Sequence, residues 1–138
     1  VDVGCGKGRV LNWLIERFPL NDIIGIEIDE SVAKETRHRL RKWKNVQVYQ
    51  QDITHDLPNG LLIFYLFNPF DGFFLKKFIK LLLLKIDEGQ ISKDSYIIYY
   101  NPKHLDVFHT FSDRFTFENI VVPSFAHDAL RIRIKCDD

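Results

Sequence analysis

The chain has 138 residues, of which 46% are hydrophobic, including 12 phenylalanines, so it has enough apolar residues to build the core of one domain. Its formal net charge is zero at pH 7, which argues against a domain drawn onto nucleic acid or acidic membranes by overall charge. No apolar run reaches the roughly 18 residues that span a bilayer. The two cysteines fit neither a metal-ligand spacing nor a disulfide framework. We therefore predict a cytoplasmic protein with no membrane partner and no metal.

The first third of the chain is predicted to alternate strands and helices. The opening VDVGCGKGR is typical of a strand that runs into a glycine turn, and since it starts in mid-strand we expect a single domain, 1–138, truncated at the N-terminus within that strand. A helix of apolar residues at three- and four-residue spacing follows and ends at Pro19. Ile23–Ile28 predicts a second buried strand. Ser31 is expected to cap a second helix, whose apolar positions are Ala33, Thr36, Leu40 and Trp43.

The middle of the chain continues this alternation. Val46–Tyr49 predicts a third strand, and Leu61–Phe67, apolar throughout, predicts a fourth strand buried on both faces. That strand ends at Asn68-Pro69, and a helix then extends to about Gly89. The expected apolar positions of this helix are Phe74, Phe78, Ile79, Leu82 and Ile86.

The end of the chain departs from the pattern. Tyr96–Tyr100 predicts a fifth strand and Leu105–Phe111 a short helix. Phe115–Val122 and Ala129–Lys135 are then two strands with no helix between them, which predicts an antiparallel hairpin across Pro123–Asp128. Because strands that alternate with helices form parallel sheets, the predicted fold is α/β: a Rossmann-like three-layer sandwich with a mostly parallel seven-stranded sheet and a C-terminal antiparallel hairpin strand.

The glycine turn after the first strand is the default ligand site, because open α/β sheets bind ligands beyond the carboxyl ends of their strands. The dinucleotide fingerprint G-x-G-x-x-G requires glycine at its sixth position. That position is Arg9, and the third glycine, Gly8, comes one residue early. Two glycines still let a backbone approach a ligand, so this spacing indicates a ligand loop without naming the ligand.

The sequence D-V-G-C-G-K-G resembles the first motif of class I S-adenosylmethionine-dependent methyltransferases, acid-x-Gly-x-Gly-x-Gly. The resemblance extends over nearly the whole chain, including the reversed seventh strand. It implies methyl transfer from S-adenosylmethionine, with Gly4, Cys5, Gly6 and Gly8 forming the cofactor loop. Asp2 would orient the methionine portion, directly or through the loop backbone; capping the loop is its alternative role.

Acidic residues after the second and third strands fit the same cofactor. A carboxylate at Glu27, nineteen residues after Gly8, can accept both ribose hydroxyls in a bidentate arrangement. In the resembling family the next residue, Ile28, packs on adenine. Asp52 and Ile53 match the position that reads adenine, through a carboxylate and a backbone N–H. Capping a turn is the alternative role for Asp52.

The turn after the fourth strand, Asn68-Pro69, is similar to the Asn/Asp-Pro-Pro-Tyr/Phe motif of amino-methyltransferases, with one proline fewer. The resemblance implies that Asn68 and Pro69 line the methyl-transfer pocket as catalytic residues and that Asn68 also contacts the cofactor. The alternative is a strand-ending turn with Phe70 packed inside. A bound sulfonium needs no metal or covalent nucleophile, so alignment of the acceptor is the main requirement.

Several alternatives remain at this stage. A nucleotide-dependent (NAD-type) oxidoreductase and a non-catalytic cofactor-binding or scaffold subunit use similar loops. The methyl acceptor is unidentified and is a small molecule, a protein or a nucleic acid. The basic second helix is compatible with a nucleic-acid stripe, but its spacing favours a solvated face. Its cationic residues are Lys34, Arg37, Arg39, Arg41, Lys42 and Lys44. Among the histidines, His127 is a candidate base.

Overall fold

The structure is a computed structural model that describes residues 1–121 and 127–135. It divides into two compact units, Val1–Ile53 and Thr54–Asp138. The first unit contains β1 (Asp2–Val3), α1 (Arg9–Arg17), β2 (Ile23–Glu27), α2 (Glu30–Leu40) and β3 (Val46–Gln50). The second contains β4 (Ile63–Leu66), α3 (Gly72–Asp87), β5 (Tyr96–Tyr100), α4 (Leu105–His109), β6 (Phe115–Ile120) and β7 (Ala129–Ile134).

In the first unit, the strands lie in the order β3-β2-β1 and are all parallel. The helices that connect them make this possible, since parallel neighbours cannot be joined by a tight turn. Gly25 of β2 is essential to the packing. A Cβ at this position would lie 2.7 Å from Leu11 Cδ1 and 2.8 Å from Cys5 Sγ. Helix α1 and the glycine loop therefore pack directly against the backbone of β2.

In the second unit, β4 pairs with β5 in parallel, and β7 pairs in antiparallel fashion with both β5 and β6. Strand β7 therefore lies between β5 and its hairpin partner β6, with Tyr96 opposite Arg133 and Phe115 opposite Ile134. The strands of the two units confirm the predicted fold class, a Rossmann-like, mostly parallel sheet of seven strands with a C-terminal antiparallel hairpin.

The cap of α2 differs from the prediction. Asp29, and not Ser31, is the N-cap, and its Oδ1 accepts a hydrogen bond of 2.9 Å from Val32 N. Asp29 has extended backbone angles, which direct its carboxylate at the free N–H groups of the first turn. Trp43 was also wrongly assigned to this helix, because α2 ends at Leu40 and the indole is 39% exposed.

Strand β4 is not buried on both faces as predicted. Phe64 and Leu66 are buried, whereas Ile63 is 47% exposed, so the strand alternates like one that has a solvent face. The following helix buries Leu75 and Phe78 but leaves Phe74 41% exposed. Both errors arise because a uniformly apolar run carries no periodicity from which a face can be assigned.

Some predictions fall outside the described residues: the end of the sixth strand at Val122, positions 123–126 of the hairpin loop, and Cys136. In the part of the chain that the structure describes, no helix has both the length and the apolar character needed to cross a membrane. Across residues 1–121 and 127–135 there is also no cluster of three or more side chains suited to hold a metal ion.

Candidate cofactor site

The glycine loop begins where β1 ends and turns over the end of β2. The N–H groups of Gly4 and Cys5 both donate to Ile26 O, at 2.9 and 3.0 Å. The three loop glycines have positive φ angles of 72°, 51° and 77°, a left-handed backbone that other residues adopt at a cost. Apart from its chain neighbours, a Cβ at Gly6 would meet no atom of residues 1–121 and 127–135 within 4 Å. The backbone of Gly6 therefore borders open space, and a ligand can approach it closely.

The Glu27 carboxylate joins this loop to the start of α2. Its Oε2 accepts from Gly6 N at 2.9 Å, and its Oε1 accepts from Asp29 N at 3.0 Å. A carboxylate has about four acceptor positions, so these two bonds leave capacity for ligand hydroxyls. Glu27 is thus oriented by the backbone before any ligand binds.

Three further side chains hold the carbonyl groups of the loop, and the sequence reasoning did not identify them. The hydroxyl of Thr36 in α2 donates to Gly6 O at 2.8 Å. Asn12 Nδ2 donates to Gly8 O at 2.9 Å, and Arg39 Nη2 donates to Lys7 O. Thr36 gave no signal because it occupies a position that the helical periodicity assigns to the apolar face, whereas Asn12 bonds a carbonyl only four residues earlier in the chain.

Burial sets the protonation of the two titratable side chains in the loop region. Asp2 is 4% exposed, and burial raises its pKa from 3.8 to about 6; the positive charge of the Val1 amino group opposes this increase, and the charge of Glu27 adds to it. Burial also raises the pKa of the Cys5 thiol to about 12, and the charges of Asp2 and Glu27 add to this effect. Cys5 is therefore a neutral thiol and not a nucleophile.

The remaining predicted cofactor residues of the first unit lie at the ends of β2 and β3. Ile28, next to Glu27, is 64% exposed. Gln51 N donates to Glu27 O at 3.0 Å, which holds the end of β3 beside β2. Asp52, half-buried, and Ile53, 4% exposed, follow directly. All of these residues thus lie at the carboxyl ends of parallel strands of the first unit. Their individual contacts with a cofactor stay predictions.

Asn68 and Pro69 belong to the second unit, in the turn after β4. Asn68 has a φ of 46°, and its side-chain amide makes three hydrogen bonds: Oδ1 accepts from Tyr99 OH at 3.0 Å and from Lys103 N at 3.2 Å, while Nδ2 donates to Asn101 O at 2.6 Å. Asn101 also has a positive φ, 51°, and also precedes a proline. The Asn68 side chain therefore braces two Asn-Pro turns, and its predicted contact with an acceptor stays a prediction.

Aromatic rings surround this brace. The ring centroid of Phe67 lies 5.4 Å from that of Tyr100, which lies 5.6 Å from that of His127. Phe70 is half-buried with its centroid 5.8 Å from that of Phe78 in α3, as expected for a ring packed inside the turn. His127 thus lies next to Tyr100, and its role as a base stays a prediction.

The basic residues of the second helix hold backbone groups of their own unit. Arg37 Nε donates to Val48 O at 2.9 Å, and Arg41 Nη1 donates to His38 O at 2.6 Å. Together with the contact of Arg39 on the loop, these bonds give three of the cations a structural role. These bonds favour the interpretation of the basic surface as a solvated helix face over its interpretation as a nucleic-acid stripe.

Comparison with known proteins identifies the family. The sequence model described as "Methyltransferase domain" matches residues 1–76. A trans-aconitate 2-methyltransferase of Sinorhizobium fredii is 44% identical over 39 residues, which are 28% of this chain and 15% of that protein. The chain thus aligns with only a small part of this curated relative.

Solved structures agree on the fold. The mitomycin 7-O-methyltransferase MmcR matches with a TM-score of 0.73 and 14% identity, over 97% of this chain and 48% of that one. The N-methyltransferase NodS of Bradyrhizobium japonicum, solved in complex with S-adenosyl-L-homocysteine, matches with a TM-score of 0.69 and 11% identity, over 99% and 76% of the two chains. The family match gives no support to the NAD-type oxidoreductase. The chain belongs to the class I S-adenosylmethionine-dependent methyltransferases.

Proposed function

We propose that this chain binds S-adenosylmethionine on the glycine loop and Glu27, and transfers the methyl group to an acceptor in a pocket lined by Asn68 and Pro69. The observation that carries the proposal is the pairing of Gly6 with Glu27. The open backbone of Gly6 and a carboxylate 2.9 Å from its nitrogen supply a close approach and an acceptor for ribose hydroxyls at one place. This donor and acceptor set fits the cofactor of the family.

Each residue then has a role suited to its surroundings. Glu27 orients the ribose, Ile28 packs on adenine, and Asp52 with the N–H of Ile53 reads the adenine edge. Asp2 and the loop orient the methionine portion. When bound, the cofactor supplies an electrophilic methyl group on a sulfonium. The acceptor lone pair forms a bond to the methyl carbon while the carbon–sulfur bond breaks, and the acceptor proton passes to solvent or to a base.

Asn68 contributes to this pocket by position. Because its amide is engaged with Tyr99, Lys103 and Asn101, we propose that the turn presents its backbone and Pro69 to the acceptor. The names of the similar enzymes include an O-methyltransferase and an N-methyltransferase, so the scaffold does not fix the acceptor atom. A cytoplasmic location is also proposed, supported by the free thiol of the buried Cys5, since thiols persist in reducing compartments.

The test is thermal stabilisation of the full-length protein by S-adenosylhomocysteine, with NAD in parallel. At one hundred times its dissociation constant, a ligand of the folded state adds about 2.7 kcal/mol to the free energy of unfolding. We expect S-adenosylhomocysteine to stabilise the wild type and the control Glu16→Ala, which removes an exposed carboxylate of α1. Glu27→Ala is expected to abolish the effect.

Stabilisation by NAD alone would overturn the proposal, and so would equal stabilisation of the Glu27→Ala variant. Binding without any transfer of labelled methyl to cell-extract fractions would favour a non-catalytic cofactor-binding subunit.

A further inference from the structure

One side chain of α2, Thr36, contacts the glycine loop at two of its three glycines. Its hydroxyl donates to Gly6 O at 2.8 Å. On the other side of the same residue, Cγ2 lies 3.0 Å from the position that a Cβ on Gly8 would occupy. Thr36 is completely buried. Its methyl group therefore packs against Gly8 while its hydroxyl holds the carbonyl of Gly6.

The two peptide groups that flank Gly6 each bond to a side chain from another element. Gly6 N donates to Glu27 Oε2 at 2.9 Å, and Gly6 O accepts from Thr36. Glycine rotates about its backbone bonds more freely than any other residue, and among the described residues, apart from the two chain neighbours of Gly6, no atom lies within 4 Å of the position of a Gly6 Cβ. Gly8 N also donates to Cys5 O at 2.8 Å, and the Cys5 thiol donates to Gly6 O at 3.8 Å. Thr36 therefore supplies the shorter of two hydrogen bonds that orient the Gly6 carbonyl.

We infer that Thr36 is a positioning residue for the methyl donor: through the Gly6 carbonyl it keeps the loop and Glu27 in the arrangement that binds S-adenosylmethionine. The inference rests on the proposed function of this loop. Thr36 acts through Gly6 and Glu27 without touching the cofactor. Without the hydroxyl, the loop occupies other conformations, and the apparent affinity falls by the fraction that remains competent to bind. The turnover of the loaded protein is expected to change little, so the effect belongs to Kd and KM rather than to kcat.

The test measures the Kd of S-adenosylhomocysteine for the full-length protein by titration calorimetry. Thr36→Val keeps the shape and removes the hydroxyl, whereas Thr36→Ser keeps the hydroxyl and removes the methyl. Ser95→Ala is the control, because Ser95 Oγ is a buried hydroxyl that accepts from Leu62 N at 2.9 Å in the second unit. All variants are compared at a temperature at which circular dichroism shows them folded.

Loss of one hydrogen bond predicts roughly threefold to tenfold weaker binding by Thr36→Val. Thr36→Ser is expected to stay within about twofold of the wild type, and Ser95→Ala to bind normally although it melts at a lower temperature. If Thr36→Val does not fold, Thr36→Ala against Thr36→Ser makes the same comparison, since the two differ by the hydroxyl alone. The inference is overturned if Thr36→Val and Thr36→Ser bind with equal affinity, or, in the second comparison, if Thr36→Ala and Thr36→Ser do. A loss of affinity in Ser95→Ala as large as that in Thr36→Val overturns it as well. Failure of the wild type to bind would instead overturn the proposed function.

Discussion

The glycine loop of the first unit and the Asn-Pro turns of the second both use left-handed backbone, but they support it differently. Gly6 has no side chain, so Glu27 and Thr36 reach in from β2 and α2 to fix its peptide groups. Asn68 supplies its own amide and bonds to Asn101 of the neighbouring turn. The exposed backbone of the glycine loop is thus held by side chains of other elements, whereas in the Asn-Pro turns the side chain of a turn residue makes the bonds.

The largest expected effect concerns the buried acid beneath the glycine loop. Because the pKa of Asp2 is raised to about 6, the folded protein keeps a proton that the unfolded chain has lost near pH 4. The free energy of unfolding therefore falls as pH rises from about 4 to about 6. At about 1.36 kcal/mol for each pH unit, the loss is about 3 kcal/mol.

Urea unfolding at pH 4, 5, 6 and 7 measures this loss, with Asp2→Asn as the comparison. The variant cannot titrate, so the difference between the two curves isolates Asp2 from other groups. Identical pH profiles of the two proteins would show that burial does not raise the pKa of Asp2.

The next prediction compares two loop glycines, Gly6 and Gly8, to separate the cost of backbone strain from that of steric crowding. Gly6→Ala places a non-glycine residue in a left-handed backbone conformation, which lowers the free energy of unfolding by roughly 1–2 kcal/mol. Gly8→Ala carries the same cost and also presses on Thr36, whose Cγ2 would lie 3.0 Å from the new Cβ, so we expect about 1 kcal/mol more. Chemical denaturation of both variants without ligand measures the difference. Equal stabilities would mean that Thr36 moves away freely, which would weaken the idea that it braces the loop.

The smallest effect tests the second turn. Asn68→Ala loses the brace and keeps the left-handed strain, whereas Asn68→Gly loses the brace and relieves the strain. We expect Asn68→Gly to be less stable than the wild type by about 1 kcal/mol, and Asn68→Ala less stable again by a similar amount. Differential scanning calorimetry orders the three proteins. An Asn68→Gly variant as stable as the wild type would remove the distinction between the two kinds of turn.

The sequence predicted those parts of the molecule that local patterns specify. Alternating helical and strand periodicity defined the order of elements, and the glycine spacing marked the loop after β1. Two of the features that it missed depend on partners far along the chain. The helical pattern predicts that Thr36 lies on the apolar face, yet its hydroxyl donates to the carbonyl of Gly6, thirty positions earlier in the chain. The pocket role of Asn68 stays a prediction, but the sequence did not indicate that its amide donates to a carbonyl thirty-three positions away.

Cys5 gives the glycine loop one further property. The thiol is packed against Gly25 and Leu11, inside a loop that we propose holds an alkylating agent. Thiolates attack such agents readily, and the neutral thiol does not. With a pKa of about 12, only about one thiol in 100,000 is ionised at pH 7. If the loop binds the methyl donor as proposed, the fold keeps this sulfur protonated and therefore weakly nucleophilic beside it.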